Sequence, residues 1–449
     1  MSTPRPLLEV ILVFTRLGFT SFGGPIAHLG YFHDELIQRR KWMSEVEYAD
    51  LVSLAQFLPG PASSQVAMGL GHRRAGPIGA LAATVCFTLP SAAILFLFAM
   101  GLMPLASNSN LAQGLLSGLQ LAAATVVAHA IWQMQRQLCP DPHRKGMAIG
   151  AAAIMGLGSF LINSPLAREF SDSALPWLTP TLLQFAVLIA AGLIGLQLPK
   201  TQQAEASAAT SGEGSSPTTR RGAKRWGASL LAIWATLLVL IPILHQLAPE
   251  SANLRILDVF YRVGSSVFGG GHVVLPMLQA EVLPLEAPQP PSVTTSIPAP
   301  AQIAWLTASE FHAGYGAAQA IPGPLFSFAA YVGALARLPE TPTSLQAMKQ
   351  ATMALIAVFL PSLLLILGAW PFWQRMKQVP RLRSAAQYVN AAVVGLLLSA
   401  LIHPILPESV RSFTDVLLWI GGLALLFKFR WPNWAIVAAL AAVGGLRSL

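Results

Sequence analysis

Long apolar runs, separated by short polar segments, recur along the whole chain up to Leu449. An α-helix needs about 20 mostly apolar residues to cross the hydrocarbon core of a bilayer. The pattern therefore predicts an all-α polytopic membrane protein with about thirteen transmembrane helices. The predicted spans are 7–28, 46–70, 78–104, 112–132, 146–164, 180–198, 227–247, 256–280, 310–335, 350–373, 386–405, 412–428 and 432–447.

Two stretches interrupt this pattern. Residues 199–226 are rich in Ala, Ser, Thr, Gln and Gly and end in a basic cluster, a composition typical of a flexible linker. Residues 286–304 are rich in proline and contain no Lys or Arg, which favours an exposed loop. The predicted domains are a first repeat at 1–198, a basic cytoplasmic linker at 199–226, a connecting span at 227–255 and a second repeat at 256–449.

The two halves carry the same motifs in the same order, which indicates an internal duplication. Phe14, Arg16, Gly18, Phe22, Gly23 and Gly24 recur 246 positions later as Phe260, Arg262, Gly264, Phe268, Gly269 and Gly270. Trp42, Glu47, Gln56, Pro59, Gly60 and Pro61 recur 263 positions later as Trp305, Glu310, Gln319, Pro322, Gly323 and Pro324.

The number of predicted spans between equivalent points decides the relative orientation of the repeats. Seven crossings separate them, and an odd number inverts the second copy, so we expect two antiparallel repeats. Lys and Arg collect in cytoplasmic loops, and most basic clusters agree with a cytoplasmic N-terminus. The segment 39–41, which reads Arg-Arg-Lys, disagrees. That segment is either not a plain loop or faces an aqueous vestibule.

Composition narrows the function further. Hydrophobic residues make up 54% of the 449 residues, charged residues make up 10%, and the mean hydropathy is +0.58, whereas soluble domains are near a quarter charged. A soluble enzyme is excluded, and the net charge of +9 fits cytoplasmic loops rather than a nucleic-acid partner. Cys86 and Cys139 lack the spacing of a disulfide or metal site and are interpreted as core thiols. We expect no cofactor and no bound metal.

The segments 56–61 and 319–324 read Gln-Phe-Leu-Pro-Gly-Pro and Gln-Ala-Ile-Pro-Gly-Pro inside apolar runs. Two prolines around a glycine remove two backbone donors, so the helix must break. Transporters use half-helices that begin at such breaks to face an anion, although a proline kink without a ligand is the alternative. The predicted substrate-binding or translocation residues are Gln56, Pro59, Gly60, Pro61, Gln319, Pro322, Gly323 and Pro324.

A second pair of breaks is predicted by Phe-Gly-Gly at 22–24 and at 268–270. Arg16 and Arg262 each precede this motif by six residues within an amphipathic stretch. A span-buried arginine is unfavourable by about 2.5 to 3.5 kcal/mol on insertion scales and so indicates function, and its planar fork suits an oxyanion. Snorkelling to the membrane interface is the alternative. The candidate translocation residues therefore include Arg16, Phe22, Gly23, Gly24, Arg262, Phe268, Gly269 and Gly270.

Acidic residues lie at loops or span edges rather than inside apolar runs, which argues against a cation carrier. Glu47 and Glu310 occupy equivalent positions three residues after a Ser or Thr, so they either complete capping boxes or couple protons to transport. His28 and His272 are further candidates for proton coupling because imidazole titrates near neutral pH. An ordinary polar contact is the alternative for each histidine.

These paired motifs resemble the chromate ion transporter family in its long, two-domain form. The resemblance covers both halves: the two Phe-Gly-Gly motifs, the two Gln-x-x-Pro-Gly-Pro motifs, and the intervening Trp and Glu. It implies a multi-pass secondary active transporter of the cell membrane, the inner membrane of a Gram-negative cell, that exports chromate and confers chromate resistance. It implies no enzyme activity. The expected partners are chromate or a related oxyanion and the lipid bilayer, and a homo-oligomer is left open.

Two other functions stay open on the residues alone. A carrier or channel for sulfate or another oxyanion would use the same arginines and broken helices. A membrane-embedded transferase acting on lipid-linked phosphate would need paired carboxylates that hold a divalent ion, and no such pair lies at the end of a predicted span.

Overall fold

The computed structural model describes residues 6–106, 109–162, 180–197, 221–268, 271–283, 305–338 and 343–449. Every regular element within these ranges is helical. Five of the described helices are long and apolar enough to cross a membrane, and four shorter apolar helices accompany them. This agrees with the predicted class, an all-helical polytopic membrane protein.

The first half contains seven helices and is followed by an additional one. They are α1 (Pro6–Thr20), α2 (Gly24–Phe32, extended by a π-helical segment at His33–Arg39), α3 (Glu45–Phe57), α4 (Ala62–Ala106), α5 (Asn110–Leu138), α6 (Pro142–Ile162), α7 (Pro180–Gln197) and α8 (Arg221–Leu247). Ala75 and Gly76 have non-helical dihedral angles. They divide α4 into a short part at 62–74 and a long part at 77–106.

The second half repeats this order of elements. It consists of α9 (Ala252–Ser266), α10 (Val274–Val282), α11 (Ala308–Ala320), α12 (Phe328–Leu335), α13 (Ser344–Ala369), α14 (Trp373–Met376), α15 (Pro380–Ala400), α16 (Leu406–Ser409), α17 (Phe413–Phe427) and α18 (Asn433–Arg447). Helix α9 begins and ends 246 residues after α1, and α11 begins and ends 263 residues after α3. These are the displacements of the sequence motifs, so the duplication extends to the helix boundaries.

In the first half, α1 and α2 fold back on each other as a hairpin. Glu9, in the first turn of α1, accepts hydrogen bonds from Arg40 at 3.0 Å and from Arg74 at 2.9 Å. Further along the hairpin, the rings of Phe14 and Phe32 lie 5.8 Å apart. The two ends of the hairpin and the end of the short part of α4 therefore lie side by side.

This arrangement explains the basic segment 39–41 that disagreed with the predicted orientation. Arg40 binds Glu35 at 2.9 Å as well as Glu9, so the segment lies beside the start of α1. Burial alone would raise the pKa of Glu35, but its hydrogen bond from Arg40 and the positive charges of Arg40, Arg16 and Arg39 lower the pKa below its ordinary value. The segment is therefore not a plain loop, because its side chains are tied to the start of α1.

The corresponding helices of the second half fold back in the same way. The Trp305 backbone N–H donates to the carbonyl of Val282, at the end of α10, at 3.0 Å, and Arg337 N–H donates to the carbonyl of Trp305 at 3.1 Å. The Arg337 side chain, just after α12, binds Glu310 at the start of α11. The ends of α10 and α12 and the start of α11 thus meet, as their counterparts do in the first half.

Glycines allow each hairpin to pack closely against a long helix. Gly18 of α1 contacts the carbonyls of Cys86 and Phe87, and Gly264 of α9 contacts the carbonyl of Val358 in α13. A methyl group at either glycine would collide with these carbonyl oxygens. Small residues favour this kind of close helix packing in membranes.

Several predicted boundaries differ from the structure. The spans 7–28, 46–70, 256–280 and 310–335 are each divided by a break, because an apolar run does not reveal that its helix stops and restarts. Helix α8 begins at Arg221, inside the predicted linker 199–226, since Ala, Lys and Arg are good helix formers that extend the apolar helix backwards. The rest of that linker, like the proline-rich stretch 286–304, lies outside the described residues.

Candidate functional site

The two Pro-Gly-Pro segments break the helices where the sequence predicts. Helix α3 ends at Phe57 and α4 begins at Ala62, while α11 ends at Ala320 and the next helical turn begins at Leu325. Gly60 and Gly323 have φ angles of 120° and 105°. This left-handed region favours glycine, so the glycine between the prolines allows the chain to reverse.

The Phe-Gly-Gly motif at 22–24 also forms a break, between α1 and α2. Gly23 and Gly24 have φ angles of 101° and 78°. The half-buried Phe22 ring lies 6.3 Å from that of Trp434 in α18. In the second half the half-buried Phe268 follows α9, whereas Gly269 and Gly270 lie outside the described residues.

Each Pro-Gly-Pro break binds the Phe-Gly-Gly break of the other half. Gly60 N–H donates to the carbonyl of Val267 at 2.6 Å, and Gly323 N–H donates to the carbonyl of Ser21 at 2.9 Å. Ser21 and Val267 are themselves 246 positions apart, so the two bonds are equivalent. Gly271 packs beside Pro25 and Leu325. All four breaks therefore meet in one region between the halves.

Buried polar atoms without hydrogen-bond partners lie on these segments and on the helices beside them. Ser362 of α13 packs against Gly60, and Ser91 of α4 packs against Gly323. Unpaired buried polar groups are rare in native proteins and each calls for an explanation. Within the described part of the chain, the unpartnered atoms of this region are the hydroxyls of Ser21, Ser64, Thr88 and Ser362, the Gln65 Oε1 and the Gln319 Nε2.

The two candidate glutamines differ in their surroundings. Gln319 is half-buried, whereas Gln56 is exposed. In the first half the buried Gln65 donates from Nε2 to the carbonyl of Pro59 at 2.6 Å. Gln65 therefore stabilises the first break. Sequence comparison of the halves missed it because the equivalent position in the second half, Phe328, is not polar.

Arg262 and Arg16 also have different environments. Arg262 binds Asp258 through Nε at 2.8 Å and Glu281 through Nη1 at 2.7 Å, and its Nη2 reaches both carboxylates at 3.1 Å. Its guanidinium is thus neutralised by two acidic side chains. Arg16 is exposed and has no salt-bridge partner among the described residues. The two arginines are equivalent in sequence only.

The acidic partners of Arg262 show where the sequence reasoning fell short. Asp258 lies at the edge of the predicted span 256–280, as expected of an acidic residue, but it is buried inside α9. Its position four residues before Arg262 on a helix would have indicated an ion pair. A second duplicated arginine pair, Arg74 and Arg337, was also visible because these residues are 263 positions apart.

Glu47 and Glu310 complete capping boxes at the starts of α3 and α11, as one of the two predicted alternatives required. Each also has an arginine partner at the end of the short helix that follows the Pro-Gly-Pro break, which is the short part of α4 in the first half and α12 in the second. Arg73 lies 3.6 Å from Glu47, and Arg337 donates to Glu310 at 3.0 Å. Both glutamates therefore lie at the hairpin bases and stabilise helix ends there.

The two candidate histidines lie close to the breaks. His28 is buried, with Nε2 3.2 Å from the Ser21 carbonyl and Nδ1 3.4 Å from the Ser63 hydroxyl. His272 follows the second Phe-Gly-Gly motif, and its Nδ1 lies 2.9 Å from the hydroxyl of Tyr315 in α11. Both make the polar contacts that the alternative interpretation predicted, and both do so near the convergence of the four breaks.

Known proteins resemble this chain over almost its whole length. A family model described as chromate transporter matches residues 8–196 and 299–446. A chromate transport protein of Cupriavidus metallidurans is 24% identical over 98% of this chain and 92% of its own length. A probable chromate transport protein of Synechococcus elongatus is 24% identical over 97% of this chain and 95% of its own.

A shorter relative matches only part of the chain. An uncharacterized transporter of Bacillus subtilis is 25% identical over 164 residues, which cover 36% of this chain and 82% of that protein. No solved structure matches the chain.

Proposed function

This chain belongs to the chromate transporter family, and we propose that it exports chromate across the cell membrane as a secondary active transporter. Chromate is a tetrahedral dianion similar to sulfate, so its site must supply hydrogen-bond donors in place of water. The observation that carries the proposal is the reciprocal binding of Gly60 to Val267 and of Gly323 to Ser21. It brings together four breaks and the orphaned hydroxyls around them, an arrangement that suits a polar ligand between two repeats.

The donors at this site come from backbone and from neutral side chains. Helices α2 and α4 begin at breaks, and so do the helical turns that start at Gly271 and Leu325. A helix N-terminus carries about half a unit of positive charge. Because other half-helices end at the same breaks, their carbonyl ends offset part of this charge. The site therefore needs an additional cation to balance a dianion.

Arg16 is the better of the two candidate arginines for that role. Its guanidinium forms no salt bridge among the described residues, although its charge acts on Glu35, whereas the guanidinium of Arg262 is bound on both sides by Asp258 and Glu281. Arg16 lies five residues before Ser21, about 7 to 8 Å along the helix axis. A flexible arginine side chain can span much of this distance, so Arg16 is the proposed charge partner of the oxyanion.

The hairpins lead to a revised proposal for the topology, with nine crossings instead of thirteen. The crossing helices are the long part of α4, α5, α6, α7, α8, α13, α15, α17 and α18. Five crossings then separate equivalent points, so the repeats remain antiparallel. With a cytoplasmic N-terminus, the basic segments 39–41, 136–145, 220–225, 375–383 and 428–430 all lie on the cytoplasmic side.

Transport into everted membrane vesicles tests this function. Vesicles that contain the parent chain are expected to accumulate labelled chromate in a saturable manner, and an applied proton gradient should drive accumulation above the external concentration. Sulfate is added as a competitor. Chromate flux that does not saturate and never runs uphill would indicate a channel, and sulfate transport without chromate transport would indicate the other oxyanion.

Glycine variants test the proposed site. A side chain at Gly60 would collide with Ser362 and Gln65, and its φ angle of 120° is unfavourable for other residues. Gly60→Ala and Gly323→Ala are therefore expected to abolish chromate transport. Gly150→Ala in α6 is the control, since no atom lies within 4 Å of a methyl group there. Full transport by both break variants would contradict the proposed site.

A further inference from the structure

A buried histidine in the second half lies beside a carboxylate that no part of the proposed site uses. His312, in α11, is fully buried, and its Nδ1 lies 2.9 Å from Oε2 of Glu408. The approach is close but poorly aligned, so neither ring nitrogen of His312 forms a hydrogen bond with the described residues. An orphaned, titratable pair inside a membrane protein indicates a function.

This pair adjoins a polar cavity. The cavity has a volume of about 370 Å³ and is lined by residues including Gln113, Gln120, Ser409 and Arg411. Ser409 follows Glu408 directly, and Gln120 donates to the carbonyl of Ser309, three residues before His312, at 3.3 Å. Two wall residues of the cavity, Gln120 and Ser409, therefore adjoin the helix turn that carries His312 and the residue Glu408.

The cavity lies at one end of the crossing helices. Its walls come from the N-terminal turns of α5 and α17, from the last two turns of α18 and from the segment between α16 and α17. Helices α5 and α17 end at the basic segments 136–145 and 428–430, and α18 begins just after the latter. In the orientation proposed above, the cavity thus opens on the side opposite the cytoplasm.

The helix that carries His312 leads from this cavity to the breaks. His312, Tyr315 and Gln319 are spaced three and four residues apart, so they share one face of α11. The Tyr315 hydroxyl lies 2.9 Å from Nδ1 of His272, beside the second Phe-Gly-Gly break. Gln319 lies directly before the Pro-Gly-Pro break. A row of polar side chains therefore connects the cavity with the candidate site.

The first half has no such row. The positions equivalent to His312 and Tyr315, 263 residues earlier, are Ala49 and Val52. Only Gln56, the counterpart of Gln319, is polar. Among the described residues, this connection is therefore present in the second half and not in the first.

The charges around the pair are few and mostly neutralised. Arg411 donates from Nε to the Glu408 carbonyl at 2.9 Å, and across the cavity Arg447 binds Asp415 at 2.6 Å. On the first turn of α11, Glu310 is paired with Arg337. Helices α5 and α12 present no charged residue to His312, and Arg447 is the charged residue of α18. Glu408 is therefore the anionic group that faces His312.

From these contacts we infer that His312 and Glu408 form the proton-binding site that couples proton entry to oxyanion export. This inference rests on the proposed function. A proton from the cavity adds to the pair, converting neutral imidazole beside carboxylate into imidazolium beside carboxylate. It then leaves toward the cytoplasmic side, which restores the imidazole. Only N–H and O–H bonds form or break in this cycle.

The test compares proton-coupled transport with chromate exchange in vesicles that contain a pH-sensitive dye. His312→Gln and Glu408→Gln are expected to reduce chromate-dependent proton movement at least about tenfold, as is typical for the loss of a proton-transferring group. Exchange of labelled for unlabelled chromate needs no net proton movement and should continue at the parent's rate. Glu408→Asp retains the acid and should retain coupling. His143→Gln and Glu250→Gln, at exposed positions, are the matched controls.

The results of this experiment distinguish failure of the proton-binding site from failure of the proposed transport function. Unchanged proton movement in both glutamine variants, or equal loss of exchange and proton movement, would overturn the inference. Chromate transport by the parent without proton movement would overturn it while leaving the proposed function intact, whereas a parent that carries no chromate would fail the proposed function itself. If His312→Gln does not reach the membrane, Glu408→Gln provides the test, because its side chain is 26% exposed and tolerates substitution better.

Discussion

Removal of the Arg262 side chain should destabilise the second half rather than only impair substrate binding. Arg262→Gln leaves Asp258 and Glu281 without their shared partner, and their side chains are only 6% and 14% exposed. At an effective dielectric constant of about 20, two unit charges 4 Å apart attract by about 4 kcal/mol. Desolvation offsets part of this gain, and breaking a buried pair costs about 3 to 5 kcal/mol. We expect a loss of that size.

A compensating substitution separates charge balance from substrate binding. Asp258→Asn combined with Arg262→Gln leaves the net charge unchanged. In this double variant Glu281 still interacts with the positive charge of Arg255. The double variant should recover most of the stability lost in Arg262→Gln. Lys349→Gln changes an exposed lysine of α13 and should leave stability unchanged, so it controls for the loss of one positive charge.

The assay is denaturant unfolding of the purified protein in detergent micelles, followed by chromate transport in vesicles. The expected order of stability is Lys349→Gln equal to the parent, the double variant slightly lower, and Arg262→Gln lowest. The double variant should still transport chromate. If Arg262→Gln unfolds like the parent but transport is lost, and the double variant is inactive as well, the reasoning is refuted and Arg262 binds the substrate directly.

Three further outcomes are expected. Arg16→Lys should weaken the apparent chromate affinity, because lysine lacks the bidentate fork, and Arg16→Gln should nearly abolish transport. Both are measured as chromate exclusion by cells with equal expression. Exclusion equal to the parent's would make Arg16 a snorkelling anchor. Reporter fusions at residue 212 and after residue 449 should report opposite compartments. The cysteine of a Lys41→Cys variant should react with a membrane-impermeant thiol reagent only from the cytoplasmic side. A reaction from outside would contradict the hairpin of α1 and α2. Thr307→Ala removes a helix cap and should lower stability by about 0.5 to 2 kcal/mol, measured as an unfolding midpoint, without changing chromate affinity.

The breaks were predictable because their cause is local. Two prolines around a glycine remove two backbone donors in any environment, so the Pro-Gly-Pro segments interrupt their helices, whereas the single prolines Pro242 and Pro361 lie inside α8 and α13. The capping boxes of Glu47 and Glu310 are equally local and were one of two predicted alternatives. The duplication was visible because both copies keep the residues that the breaks require.

The fold-back of the hairpins was not predictable in the same way. Two half-helices joined by a break contain as many apolar residues as one crossing helix, so length alone does not distinguish a crossing from a fold-back. The contacts of Glu9 with Arg40 and Arg74 bring the end of this segment back beside its start, and the sequence does not reveal them. The partner of His312 was hidden for a similar reason, since Glu408 lies 96 residues away in sequence.

The exchange of hydrogen bonds between the breaks has a consequence for how such a protein can be assembled. Gly60 needs Val267 and Gly323 needs Ser21, so neither half can complete even one of its breaks from its own residues. A polypeptide of half this length would have to meet a second subunit before these bonds could form. Fusion of the two halves through α8 removes that search, because one translation product contains one copy of each half and, in the topology proposed above, the linking helix also sets their opposed insertion.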